Sequence, residues 1–257
     1  MTPLHAWVLA AGQGQRLGGR TKAALRIDGR SLLARLLDAL HEGARPAALG
    51  VVCGRDRAAW DALQRELQAS AHTPAPALHH PDGALPTLGH SRQWALHRHL
   101  GPHLDQPLGP PLGPPLRSAA GHALSPETSP ASSQTPDLLL CVADLPRLQA
   151  ADVAALCRAW RADPQRPFDA LRPVVDGRPG HPVLLSARAV RVLAAAPPET
   201  GLREALQAAG LRLSVLALDS PGPVTDLDTP DDLQALRAAW PQADIRWPDD
   251  GFPPCAP

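Results

Sequence analysis

A glycine-rich loop after a short apolar run near the start of the chain is the most constraining feature of the sequence. The run, residues 6–11, has the composition of a buried strand. The loop contains four glycines and three basic residues: Gly12, Gly14, Gly18, Gly19, Arg16, Arg20 and Lys22. Small residues let a polyanion approach the backbone, and successive backbone N–H groups in such a loop form an anion-binding concavity. A strand that leads directly into such a loop is typical of nucleotide-binding α/β domains.

The spacing within this loop excludes two common nucleotide-binding motifs. A dinucleotide fingerprint requires Gly-x-Gly-x-x-Gly, and Leu17 occupies the place of the third glycine. A Walker loop requires Gly-Lys-Ser/Thr, whereas Thr21 precedes Lys22 here. The remaining alternatives are a different phosphate-binding loop and a glycine-rich surface turn with incidental basic residues.

Strand and helix patterns alternate along the rest of the chain. Strands are predicted at 6–11, 47–53, 77–80, 137–143, 171–175, 182–185 and 213–218. Helices are predicted at 32–43, 58–71, 88–100, 150–162, 187–195, 201–209 and 230–240, the first with Ser31 as its N-cap. This alternation predicts an α/β fold with a largely parallel sheet covered by helices on both faces.

Two segments fall outside the alternation. Residues 101–136 are rich in Pro, Gly and Ser, and we expect a disordered insertion within a single domain at 1–240. A proline-rich ligand for a partner domain is the alternative for this segment. Residues 241–257 form a proline-rich tail that is expected to lie loosely on the surface.

Composition limits the classes of partner. The chain has 25 Lys and Arg against 25 Asp and Glu, so neither a nucleic acid nor a membrane surface is expected as a partner. Its four cysteines form no Cys-x-x-Cys pair, which argues against a zinc site and a disulfide framework. No apolar run approaches the length of a membrane span. These features are expected of a cytoplasmic enzyme.

An acidic residue, Asp144, follows the most apolar of the predicted strands. The carboxyl ends of strands are where α/β sheets bind ligands. A carboxylate there is a ready ligand for Mg²⁺, which prefers oxygen donors and shares them with substrate phosphates. The alternative is that Asp144 caps the following helix.

The second acidic feature is a pair of residues, Asp226 and Asp228, that precedes the last predicted helix. Thr229 and Pro230 are explained as the helix cap and first turn. That explanation leaves the pair unaccounted for. Side chains two residues apart on an extended segment point the same way, so two carboxylates there need a cation or water.

These features resemble the signatures of the MobA-like nucleotidyltransferases. The family pattern Leu-Ala-Ala/Gly-Gly-x-x-x-Arg-Met/Leu-Gly…Lys is matched at residues 9–12, 16–18 and 22. Its Asp-x-Pro is matched at 144–146, and its Asp-Ile/Val-Asp-Thr-Pro-Glu/Asp-Asp-Leu at 226–233. The resemblance implies a Rossmann-like three-layer α/β/α nucleotidyltransferase fold with a mostly parallel sheet.

The resemblance also implies roles for individual residues. Arg16, Lys22 and Asp144 are expected to be catalytic, and Mg²⁺ is expected on Asp144 and Asp228 with Asp226 in support. The nucleotide is expected to contact Leu9, Ala10, Ala11, Gly12, Gly14, Arg16 and Lys22.

Weaker matches resemble the molybdenum cofactor cytidylyltransferases within this family. The turn Gly180-His181-Pro182 and a segment ending at Ser91 are implied to bind the acceptor. The chain departs from the pattern where His80 replaces Asn, Arg92 replaces Leu, and Pro198-Glu199 replaces Gly-Asp. Ordinary turns are the alternative for each match.

The implied reaction is transfer of CMP from CTP to the phosphate of a molybdopterin-type cofactor, with release of pyrophosphate. Cytidylyl members tend to have Ala-Ala-Gly where Ala10-Ala11-Gly12 stands, and guanylyl members Ala-Gly-Gly. GTP or another NTP:phosphate transfer is the alternative. A binding or chaperone module that has lost catalysis and delivers the cofactor to a molybdenum hydroxylase is the alternative outside enzymes. A molybdenum hydroxylase or its chaperone is the implied protein partner.

Overall fold

The computed structural model describes residues 3–70, 74–83, 85–101, 135–162 and 166–249. Most of the predicted insertion, 102–134, and the end of the predicted tail, 250–257, lie outside the described residues. The three cysteines that are described, Cys53, Cys141 and Cys157, are buried and unpaired.

The strands, in chain order, are β1 (Leu4–Ala10), β2 (Arg26–Ile27), β3 (Arg30–Ser31), β4 (Ala48–Cys53), β5 (Ala77–His79), β6 (Asp137–Val142), β7 (Ala170–Val175), β8 (Arg178–Pro179), β9 (Val183–Leu185), β10 (Leu213–Ala217) and β11 (Ile245–Arg246). The α-helices are α1 (Leu32–Ala44), α2 (Arg57–Gln68), α3 (Leu88–Leu100), α4 (Ala150–Arg161), α5 (Ala187–Ala195), α6 (Leu202–Ala208) and α7 (Pro230–Ala239). In the described part of the chain, no helix has the length and apolar character to cross a membrane.

The main sheet has the strand order β10-β7-β9-β6-β1-β4-β5, with β8 paired to β7. All its neighbouring pairs are parallel except those of β8 and β9, which pair antiparallel. Almost every residue of β1, β4 and β6 is buried, which requires helices on both faces of the sheet. The predicted α/β fold with a mostly parallel sheet is confirmed.

Side-chain caps explain where most helices begin. Ser31, Asp56, Thr87, Ser186 and Thr229 each accept a hydrogen bond from a backbone N–H in the first turn of the helix that follows. Such caps satisfy donors that have no partner within the helix. The predicted bounds of α3 and α5 agree with the observed ones to the residue.

The chain order places a topological switch point at the middle of the sheet. From β1 the chain proceeds to β4 and β5 on one side, and it then crosses back to β6 on the other side of β1. Ligands of open α/β sheets bind at the carboxyl ends of strands where the order reverses in this way. The glycine loop, defined as residues 12–22, follows β1 at this edge, and Asp144 follows β6.

A small antiparallel sheet, β11-β2-β3, lies apart from the main sheet. It shares a second hydrophobic cluster with the glycine loop and α7, made of Leu17, Leu25, Ile27, Leu32, Leu227, Leu233, Leu236, Ile245 and Trp247. The expectation of a loose tail is wrong for residues 245–247, because Ile245 is paired in β11 and Trp247 is only 5% exposed. The apolar side chains of Ile245 and Trp247 anchor this segment to the second hydrophobic cluster.

Candidate active site

A cavity of about 690 Å³ opens at the carboxyl ends of β1 and β6. It brings together all but one of the residues that the sequence analysis assigned to a site. Its walls include Leu9, Ala10, Ala11, Gly12, Gly14, Arg16, Lys22, Ser91, Asp144, Gly180, His181, Asp226 and Asp228. Pro182, the remaining assigned residue, is buried and lies outside the cavity lining.

The glycine loop folds back on itself at Gly14. The backbone N–H groups of Leu17 and Gly19 donate to the Gly14 carbonyl at 2.8 and 3.0 Å. Gly14 has a φ of +57°, and a Cβ there would lie 2.1 Å from the Arg20 carbonyl oxygen. Only glycine combines this backbone conformation with so close an approach. The turn leaves Arg16 exposed at the cavity, with no carboxylate partner among the described residues.

Lys22, at the end of the loop, connects the two acidic features of the sequence. Its Nζ donates to Asp144 Oδ2 at 3.0 Å and also to Asp228 Oδ1. The lysine side chain is only 14% exposed. Burial would lower the pKa of Lys22, but the two carboxylates outweigh it and raise the pKa above its ordinary value. Lys22 is therefore a fixed positive charge at neutral pH.

Asp144 does not cap a helix, so the alternative drawn from the sequence is wrong. The helix after it, α4, begins six residues later and has a capping box formed by Gln149 and Asp152. The Asp144 carbonyl instead accepts a hydrogen bond from the Leu227 N–H at 2.9 Å. This bond ties the end of β6 to the segment that carries Asp226 and Asp228.

The Asp226–Asp228 segment is irregular and belongs to no sheet. Leu227 is buried in the second hydrophobic cluster, whereas the two aspartates on either side of it line the cavity. The Asp228 N–H donates to Asp232 Oδ2 at 3.0 Å, so the capping box of α7 also fixes the backbone of Asp228. Burial, and then the neighbouring charges of Asp144 and Asp228, raise the pKa of Asp226.

The donor set fits Mg²⁺. One carboxylate oxygen of Asp144 and one of Asp228 both contact the Lys22 Nζ atom, and the longer of the two contacts is 3.0 Å. The two oxygen atoms are therefore separated by less than twice that distance. Three carboxylates face one lysine here, which leaves negative charge for a cation to neutralise. Among the described residues no three His, Cys, Asp or Glu side chains form a cluster that could hold a metal alone. Mg²⁺ is usually held by one or two carboxylates together with substrate phosphates, which matches this arrangement.

The turn at residues 180–182 forms part of the opposite side of the cavity. A Cβ on Gly180 would lie 2.3 Å from the Pro223 carbonyl oxygen, and that carbonyl accepts the His181 N–H at 2.9 Å. Burial, and then the charge of Arg172, lower the pKa of His181 to about 4. His181 is therefore neutral at pH 7 and can present only one N–H donor.

The rim of the cavity includes the start of α3. Ser91 is 3% exposed, and its Oγ donates to the Thr87 carbonyl at 3.3 Å. The neighbouring Leu88 is 57% exposed at the cavity wall, which is unusual for a large apolar side chain.

Sequence reasoning missed Arg172 and Arg178, both of which line the cavity. The sequence offered a signal for each. Arg172 is a charged residue within an otherwise apolar strand, and Arg178 lies two residues before the matched turn Gly180-His181-Pro182.

Comparison with known proteins gives one family match. The model of the MobA-like NTP transferase domain matches residues 6–213. No curated protein is significantly similar to the chain in sequence.

Solved structures of low sequence identity share the fold. Rv0371c from Mycobacterium tuberculosis H37Rv is 20% identical with a TM-score of 0.63, over 91% of this chain and 97% of that one. A 4-diphosphocytidyl-2C-methyl-D-erythritol synthase is 15% identical with a TM-score of 0.62, over 93% and 100%. Molybdopterin-guanine dinucleotide biosynthesis protein A from Archaeoglobus fulgidus is 16% identical with a TM-score of 0.54, over 92% and 98%.

Proposed function

The chain belongs to the MobA-like NTP transferase family, and we propose that it transfers CMP from CTP to the phosphate of a molybdopterin-type cofactor. The observation that carries the proposal is the placement of Lys22 between Asp144 and Asp228, in one cavity with the glycine loop. A triphosphate on the loop would lie beside this cluster. The cavity also extends to the β7–β9 side of the sheet, which leaves space for a second substrate.

In the proposed reaction an oxygen of the acceptor phosphate attacks the α-phosphorus of the NTP. The bond from the α-phosphorus to the bridging oxygen breaks, and pyrophosphate leaves with the electron pair. Arg16, Lys22 and the N–H groups of the glycine loop hold the triphosphate and stabilise the charge that develops on it. Mg²⁺ on Asp144 and Asp228, supported by Asp226, would neutralise charge on the phosphate oxygens.

Positioning supplies the rest of the catalysis. Holding the acceptor in line with the α-phosphorus converts an encounter of two molecules into a reaction within one complex. No side-chain nucleophile is needed, because the acceptor phosphate is itself the nucleophile. This fits the cavity, since the three cysteines that are described are buried elsewhere and line none of its walls.

The proposed donor is CTP. The cavity wall at the carboxyl end of β1 is formed by three buried residues, Leu9, Ala10 and Ala11. The Ala11 methyl group fills space that glycine would leave for a purine. GTP is the second candidate, because the solved structure from Archaeoglobus fulgidus is a protein of molybdopterin-guanine dinucleotide biosynthesis.

The proposed acceptor site comprises Gly180, His181, Pro182 and Ser91. Three of these line the cavity, and Pro182 follows His181 directly behind its wall. A molybdenum hydroxylase or its chaperone is the proposed recipient of the product.

The experiment is a screen of pyrophosphate release with each of the four NTPs, Mg²⁺ and molybdopterin. We expect release with CTP that requires both the metal and the acceptor. Faster release with GTP would make the protein a guanylyltransferase. Cofactor binding without release from any NTP would instead support the non-catalytic delivery module.

A further inference from the structure

We propose that Arg172 and Arg178 form the subsite that binds the phosphate group of the acceptor. The inference rests on the proposed function, which requires a phosphorylated second substrate. Both arginines line the cavity on β7 and β8, which lie beyond β6 from the glycine loop. They are thus separated from the loop by the strand that carries Asp144.

Arg172 is a half-buried charge that has no carboxylate partner among the residues the structure describes. One of its terminal nitrogens donates to the Gly180 carbonyl at 3.2 Å, and its Nε is buried without a hydrogen-bond partner. Burial lowers its pKa, but a guanidinium remains charged at neutral pH. Burying a charge costs free energy unless an opposite charge or hydrogen bonds compensate it. An anion in the cavity would supply that compensation.

Arg178 is exposed, and within the described part of the chain only a backbone group holds it. One of its terminal nitrogens donates to the Val224 carbonyl at 3.2 Å. Arg178 and Asp226 both line the cavity, so the arginine shares this space with the acidic cluster. Neither arginine has a carboxylate in salt-bridge range within the described ranges.

The other two positively charged side chains in the cavity already have assigned partners, so these two arginines are available to the acceptor. Lys22 is already paired with Asp144 and Asp228, and Arg16 lies on the loop that would receive the triphosphate. A phosphomonoester is close to a dianion at neutral pH, because its second pKa is about 6. Guanidinium groups present forked donors that match phosphate oxygens. The acceptor class that fits is therefore a phosphomonoester.

The test is a titration of the full chain with inorganic phosphate by calorimetry, with CTP and Mg²⁺ present at saturation to block the glycine loop. Arg172→Gln and Arg178→Gln are each expected to weaken phosphate binding about tenfold, since a hydrogen bond to a charged group contributes about that much. Arg188→Gln, on the exposed face of α5, is the matched control and should bind phosphate like the wild type. Arg172→Lys should recover part of the loss.

A second measurement separates this inference from the proposed function. In the pyrophosphate assay, the arginine variants should raise the KM for molybdopterin about tenfold and leave the KM for CTP unchanged. A double variant that combines Arg172→Gln with Arg178→Gln should lose phosphate affinity. Unchanged affinity in that variant would overturn the subsite, even if the wild type turns over CTP. Arginine-dependent phosphate binding without turnover of any NTP would support the subsite and contradict the proposed function. If Arg172→Gln lowers the unfolding temperature, the test relies on Arg178→Gln, because Arg178 is exposed.

Discussion

The two sides of the cavity are supported in different ways. The glycine loop and the Asp226–Asp228 segment rest on the second hydrophobic cluster, which the C-terminal Trp247 completes. The β7–β9 side rests on the main core through strands whose buried residues include Leu171 and Val183. The first side thus depends on a small cluster assembled from distant parts of the sequence, and the second on the largest part of the core.

The charges of the two sides differ as well. On the loop side the lysine is neutralised by carboxylates, and its contacts fix the distance between the end of β6 and the Asp226–Asp228 segment. On the β7–β9 side the only described groups to which Arg172 and Arg178 donate are backbone carbonyls. The paired charge of Lys22 holds the loop side in position. The positive charges of Arg172 and Arg178, which no described carboxylate neutralises, can bind an anionic ligand. The difference indicates that the two sides receive different substrates.

Removing a carboxylate from the loop side should have the largest effect. Asp144→Asn removes a partner of Lys22 and a proposed metal ligand, so we expect turnover to fall by about two to three orders of magnitude, as when one preorganised electrostatic group is lost. The variant should keep the unfolding temperature of the wild type within a few degrees. Steady-state pyrophosphate release and thermal unfolding measure the two effects.

Asp219→Asn is the control for this change, because Asp219 is exposed and lies outside the cavity. It should leave turnover unchanged. If Asp144→Asn were as active as this control, the metal and lysine roles assigned to Asp144 would be wrong.

Much of the fold is predictable from the sequence, for identifiable reasons. The buried run of β6 and the caps Ser31 and Thr229 are local signals, and the structure contains the elements they predict. The two-residue strands β2, β3, β8 and β11 were missed, because so short a strand has no periodicity to detect. Pairing of β11 with β2 joins residues near opposite ends of the chain, and no local pattern encodes it.

The candidate site was predictable to a different extent. Residues with a motif, such as Lys22 and Asp228, could be assigned by resemblance before any geometry was known. The signal for Arg172 was too weak to assign a role, because one charged residue in an apolar strand is equally compatible with a solvent-facing position. Its role depends on which side of β7 faces the cavity, and that follows only from the pairing of β7 with β8 and β9.

Trp247 tests whether the loop side depends on its small cluster. Trp247→Ala removes a side chain that is 5% exposed, and the guanidinium of Arg20 from the glycine loop lies 5.3 Å from its ring centroid. We expect a loss of about 3 kcal/mol in the free energy of unfolding, the low end for truncating a buried aromatic residue. Chemical denaturation measures this loss. Trp247→Phe should recover most of it.

The matched comparison for Trp247 is Val215→Ala on β10, where the side chain is 59% exposed. That change should cost less than about 0.5 kcal/mol. A similar small cost for Trp247→Ala would show that the C-terminal segment does not support the loop.

Gly14→Ala tests the loop conformation itself. The added methyl would meet the Arg20 carbonyl at a backbone angle that alanine rarely adopts, so the turn must shift. We expect CTP to bind about tenfold more weakly, with the KM for the acceptor unchanged. Gly201→Ala is the control, because a Cβ there meets nothing within 4 Å. Equal CTP affinities in the two variants would contradict the phosphate-binding role of the loop.

Ala11→Gly should have the smallest effect and would sharpen the choice of donor. Ala11 is 9% exposed at the end of β1, so its methyl group adds little bulk to the cavity wall. Discrimination that rests on so small a group is on the order of 1 kcal/mol, because one methylene in a pocket contributes about 1–3 kcal/mol. The variant should therefore use GTP several-fold better than the wild type does and keep most of its activity with CTP. The ratio of kcat/KM for the two nucleotides, with the same acceptor, measures the change. A wild-type protein that already prefers GTP would show that the Ala11 methyl does not exclude a purine, and guanylyl transfer would then replace cytidylyl transfer as the proposed reaction.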